Sequence, residues 1–116
     1  MDQNIGQNGK DGEGIEKLIK DYQILEDQIR AYTIQLQELQ IQKNEADFAK
    51  KEVEKASGKV YITIGGVIVE TTKEKALENL KEKSEDLELK IQMVNKQLSN
   101  LKSKEESIKK ELSNFK

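Results

Sequence analysis

Two adjacent glycines, Gly65 and Gly66, interrupt the stretch of this chain that is richest in β-forming residues. Lys59-Val-Tyr-Ile-Thr-Ile64 stands on one side and Val67-Ile-Val-Glu-Thr-Thr72 on the other. Valine, isoleucine, tyrosine and threonine suit a pleated strand. A Gly-Gly pair between two such runs predicts a two-residue hairpin turn. That turn sets the register: Ile64 faces Val67, Ile62 faces Val69, and Val60 faces Thr71. One face is then almost wholly apolar, while the other carries Tyr61, Thr63, Ile68 and Glu70. A lone two-stranded hairpin is marginally stable at best in water. Its unpaired edges invite pairing with other chains. The hairpin over 59–72 is therefore expected to be an assembly element, with Val60, Ile62, Ile64, Gly65, Gly66, Val67, Ile68 and Val69 as its contact residues.

On either side of this stretch the apolar period changes. Upstream, Ile15, Leu18, Tyr22, Leu25, Ile29, Tyr32, Leu36 and Leu39 recur at alternating steps of three and four, a heptad with apolar a and d positions. The phase continues more weakly through Lys43, Ala46, Lys50 and Val53. Ser57-Gly58 then supplies a stop, with Gly58 placed for the left-handed conformation that closes many helices. The first helix is expected over 14–57, about 65 Å long at 1.5 Å rise per residue. Downstream, Thr71 and Glu74 have the spacing of a capping box. A second helix is expected over 73–115, with Leu77, Leu80, Ser84, Leu87, Ile91, Val94, Leu98, Leu101, Glu105, Ile108, Leu112 and Phe115 on its seam.

Two heptad helices of equal length with a short connection should fold back as an antiparallel coiled coil. The residue numbers agree layer by layer. Val53 meets Leu77, Ala46 meets Ser84, Leu36 meets Val94, Tyr22 meets Ile108, and Ile15 meets Phe115. The Ala46–Ser84 layer is thin and lets the helices approach closely. Lys43 and Lys50 lay their methylenes along Leu87 and Leu80 with their ammonium groups outward. Glu105 falls near Tyr22 and Leu25, where it could accept from the tyrosine hydroxyl. Polar seam residues of this kind fix register at some cost in stability. Off the seam, Ile34, Ile41 and Phe48 repeat every seven residues on the back of the first helix, with Leu89 on the back of the second at the height of Ile41. An aligned outer stripe is a candidate contact surface.

Composition narrows the function. Charged residues make up 36% and the hydrophobic set 34%, too little apolar material for a rounded core but enough for a narrow seam. A net charge of -2 gives no reason to expect nucleic acid, which usually needs a basic patch. With no histidine and no cysteine, the commonest general base, the commonest metal ligand and thiol chemistry are all missing. Paired carboxylates in a pocket, calcium loops and zinc spacings are absent as well, so neither an enzyme nor a cofactor is expected. No run approaches the roughly 18 apolar residues of a membrane span. Residues 1–13 are rich in Gly, Asn and Gln, which predicts a disordered tail rather than a secretory signal. Gly9–Gly14 lacks the spacing of a phosphate loop. The expectation is a soluble intracellular protein whose proline-free chain forms long helices.

The run from Val60 through Gly65-Gly66, Thr71-Thr72-Lys73 and the leucine-rich start of the second helix to Lys90 resembles the β-class subunit of prefoldin, in its archaeal form. The likeness is greatest over about 59–94 and extends over 15–115. The Gly/Asn-rich N-terminal segment departs from the Gln-rich helical lead-in of that class. The resemblance implies a mainly α fold, a long antiparallel two-helix coiled coil with one central β-hairpin. It implies that four β-class and two α-class chains join hairpins into a double β-barrel, forming a cytoplasmic hetero-hexamer. It further implies a chaperone that holds non-native proteins without ATP and passes them to a group II chaperonin.

The residues agree with such a role. Terminal helical turns lack hydrogen-bond partners and fray. Fraying would expose Ile15, Leu18, Ile19, Leu112 and Phe115, and deeper in Ile108 and Leu101. Several weak apolar tips acting together bind by avidity without a shaped pocket. A filament-forming or structural relative would carry the same hairpin, because a closed ring and an open filament differ in the angle of one heterologous contact.

Overall fold

The computed structural model describes the backbone of residues 2–115 and the side chains of residues 12–115. The element order is α1 (Asp2–Lys55), β1 (Val60–Ile64), β2 (Val67–Thr71) and α2 (Lys73–Ser113). The tail that composition predicts over 1–13 falls almost wholly on residues 1–11, whose side chains lie outside the described residues.

The strands pair antiparallel in the expected register, Val60 with Thr71, Ile62 with Val69 and Ile64 with Val67. Gly65 and Gly66 have φ of 54° and 83°. Two successive left-handed positions are what a tight hairpin matching the strand twist requires, and any Cβ there would be strained. At the open end of the hairpin, Lys59 Nζ lies 3.5 Å from Glu70 Oε1, an exposed pair of little energetic weight.

Two boundary details differ from expectation. The N-cap of α2 is Thr72, not Thr71: its Oγ1 accepts from the Lys75 N–H at 3.1 Å, while Thr71 ends β2. The residue three beyond this cap is Lys75, so no reciprocal box forms. At the other helix end, Gly58 does not adopt positive φ. Instead α1 tightens, with Ala56 N–H donating to the Val53 carbonyl at 3.0 Å.

The chain divides into two compact units, one of Met1–Ile34 with Asn95–Lys116 and one of Gln35–Val94. In the unit of 35–94, α1 and α2 run antiparallel. Ser84 Oγ donates to Asp47 Oδ1 at 2.9 Å, and Lys43 Nζ lies 3.8 Å from Glu88 Oε2. Leu39, Ala46, Leu87, Ile91 and Val94 are buried in its seam, joined by Val60 of the hairpin. Ala76, 2% exposed, is the most enclosed residue of the core, and its N–H donates to the Thr72 carbonyl at 2.9 Å. In the unit of 1–34 with 95–116, Leu25, Leu98 and Leu101 are buried. Ile15, Leu18, Tyr22, Ile29, Tyr32, Glu105, Ile108 and Leu112 are half-buried there. Burial along the helices follows the a and d positions in both units, except at Ala76 beside the hairpin.

Candidate functional site

The hairpin presents its apolar residues to solvent on both faces. Val60 is buried and Ile62 half-buried, since both sit close to the helices. Beyond them Ile64, Val67, Val69 and Tyr61 are exposed, and Ile68 is 72% exposed. Among the described residues the sheet has two strands, and both its outer edges are unpaired. Two five-residue strands of Val, Ile and Thr have one apolar face and a partly apolar reverse, and the chain leaves most of both exposed.

The second candidate region lies in the unit of 1–34 with 95–116. Asp21, Ile24 and Leu25 of α1 and Lys104, Ser107 and Ile108 of α2 line an open groove of about 390 Å³. Its floor is apolar, and its rim carries one acid and one base. Ile24 is 48% exposed and carries no heptad signal, because it occupies a c position outside the seam. Of the expected tip residues, Ile19 and Phe115 are exposed, while Ile15, Leu18, Ile108 and Leu112 are half-buried. Leu101 is 8% exposed and becomes available only if its layer opens. Burial, then Glu26 one turn along and, more weakly, Glu105 raise the Tyr22 hydroxyl above the usual tyrosine range, with Lys109 opposing them.

Between the helices of the 35–94 unit sits a polar cluster that heptad reasoning marked only as a thin layer. Asp47 accepts from Ser84 Oγ at 2.9 Å and from Lys43 Nζ at 3.2 Å, with Lys50 nearby on α1 and Glu88 on α2 facing Lys43. The Ser84 hydroxyl, then the Lys43 ammonium, hold the Asp47 carboxyl below the usual carboxylate range. A group whose folded pKa is lowered contributes stability that is present above its unfolded value and lost as pH falls through the folded one. Asp47→Asn is therefore expected to melt below the parent chain at neutral pH and to converge with it on acidification past the carboxylate range. A gap that stays constant with pH, read by circular dichroism, would remove the assignment.

Among the described residues, no group of three or more acidic, His or Cys side chains is placed to hold a metal ion. Among them, too, no helix is long and apolar enough to cross a membrane. The arrangement offers apolar surface to a partner.

A family model described as "Prefoldin subunit" matches residues 16–115. The chain belongs to the prefoldin family. Prefoldin subunit beta of Pyrococcus furiosus is 38% identical over 85 residues, covering 72% of this chain and 73% of that protein. Prefoldin subunit beta of Methanosarcina acetivorans is 25% identical over 100 residues, covering 84% and 86%. The crystal structure of the prefoldin beta subunit from Thermococcus strain KS-1 superposes with a TM-score of 0.82 at 29% identity, over 87% of this chain and 90% of that one. The prefoldin architecture, two long helices and a central hairpin, and membership of a chaperone family are thereby given for this chain. The exposed hairpin and the groove leave apolar side chains in contact with water, as does the outer stripe of Ile34, Ile41, Phe48 and Leu89.

Proposed function

We propose that this chain is a subunit of an ATP-independent holdase. Its hairpin joins hairpins of other prefoldin subunits into a β-barrel, in a cytoplasmic hetero-hexamer of two α-class and four β-class chains. Its apolar helix ends capture non-native proteins and release them to a group II chaperonin. The observation that carries the reading is the open apolar groove of Ile24, Leu25 and Ile108, with Ile19 exposed on the same stretch of α1. A client segment can enter such a groove without the helices separating. Fraying of the terminal turns would add Ile15, Leu18, Leu112 and Phe115. Each contact is weak, and several such ends acting together supply avidity.

The test is light scattering from a chemically unfolded client diluted into this protein plus an α-class partner, with no nucleotide. Suppression of aggregation at near-stoichiometric ratios is expected. Aggregation that proceeds as in buffer, from a sample that is itself a large assembly, would leave a scaffold and no chaperone.

A further inference from the structure

An α-helix ends with carbonyl groups that have no helical donor. At the end of α1 the usual left-handed glycine is missing, and a side chain from beyond the hairpin takes its place. Lys73 Nζ donates to the Glu54 carbonyl at 2.7 Å and to the Ala56 carbonyl at 3.3 Å. A cation is favoured at a helix C-terminus, and charge-assisted bonds are the stronger kind. Lys73 is also the first residue of α2, immediately after the Thr72 cap. One ammonium group thus ties the exit of α1 to the entry of α2, at the two points where the hairpin leaves and rejoins the helices.

The segment 56–59 between α1 and β1 has no regular structure of its own. Its direction depends on what holds its start. Lys73 holds Ala56 directly.

We propose that Lys73 is a positioning residue for assembly: by fixing residues 54–56 against the start of α2, it sets the direction in which the hairpin leaves the helices and so the angle between neighbouring chains. This rests on the reading of the hairpin as the assembly surface. The angle matters because rotation at a heterologous contact decides whether a set of chains closes. The hydrogen bonds of its ammonium group go to the carbonyls of residues 54 and 56.

The experiment uses the full chain mixed with an α-class prefoldin partner, followed by sedimentation velocity over a dilution series, with far-ultraviolet circular dichroism on the same samples. Lys73→Met keeps the length of the stem and removes the donors. It is expected to retain parental helix content while its assembly dissociates at about tenfold higher concentration, the loss of two charge-assisted hydrogen bonds acting indirectly, or spreads over several masses. Lys73→Arg keeps charge and donors and is expected to restore the parental profile. Parental mass and dilution midpoint in Lys73→Met, with Ile64→Asp/Val67→Asp dissociated, would overturn the proposal and leave the assembly surface standing. Loss of helix content in Lys73→Met would also overturn it, since the lysine would then be only a helix cap. Persistence of the assembly in Ile64→Asp/Val67→Asp would instead overturn the hairpin reading, and the role of Lys73 with it.

Discussion

A chain carrying Ile64→Asp and Val67→Asp is expected to sediment as a single chain under conditions where the parent assembles. The two residues face each other across the Gly65-Gly66 turn and are both exposed. Each replacement removes an apolar side chain whose burial contributes about 1.5–3 kcal/mol. Each also places a carboxylate where a partner sheet would have to desolvate it, at a cost of roughly several kcal/mol when unpaired. Losing even about 4 kcal/mol weakens an association about a thousandfold, and the effect repeats at every hairpin contact of the assembly. The helices should be untouched, because neither side chain is buried in their seam. Sedimentation velocity beside circular dichroism gives both answers. An assembly of parental mass from this variant would exclude the hairpin as the joining surface.

The second large effect is expected at the helix ends. Ile19→Ser, Ile24→Ser and Phe115→Ser together remove exposed apolar side chains from the unit of 1–34 with 95–116 and none of its buried ones. Stability should change little, since surface substitutions usually move it by about 0.5 kcal/mol or less each. Client capture should fall steeply, because avidity multiplies the loss at each end by the number of ends engaged. A rise of about tenfold or more in the protein concentration that suppresses client scattering is expected on this ground. If suppression is unchanged, the outer residues Ile41 and Phe48, the latter 65% exposed, become the better candidates for client contact. Because assembly mass and melting temperature are expected to hold, a loss of capture in this triple variant can be assigned to the surface itself.

Much of this architecture was legible because it is periodic. The heptad steps named the seam, and burial in both units follows them from Leu25 to Leu101. The Gly65-Gly66 pair fixed the strand register to the residue, since a two-residue turn leaves no freedom to slip. Features that escaped the pattern share a physical reason: they depend on one side chain reaching a group distant in sequence. Nothing in the run Thr71-Thr72-Lys73 says that the lysine will find carbonyls of Glu54 and Ala56. The sequence signal for a helix stop at Ser57-Gly58 pointed to a glycine mechanism that the lysine replaces. The Asp47–Ser84 bond escaped likewise, because Asp47 lies outside the a and d positions. Ile24 was passed over for the same reason, although an isoleucine next to a seam leucine is the available clue to a widened apolar rim. The cap shifted by one residue, from Thr71 to Thr72, because two adjacent threonines offer the same chemistry and only the end of β2 decides between them.

The two-stranded sheet has a consequence for how such an assembly comes apart. Each helix is held by a seam within its own chain, whereas the hairpin has too few strands to be stable alone. Partners that bind only the folded hairpin raise its stability by mass action. Its order is thus a function of how many chains are present, and the order of the helices is not. On dilution, backbone amides of Val60–Thr71 should be the first to exchange with solvent, while those of Leu87, Ile91 and Val94 stay protected. Such a molecule would lose its joints before its limbs, and the freed chains could be used again without refolding their helices.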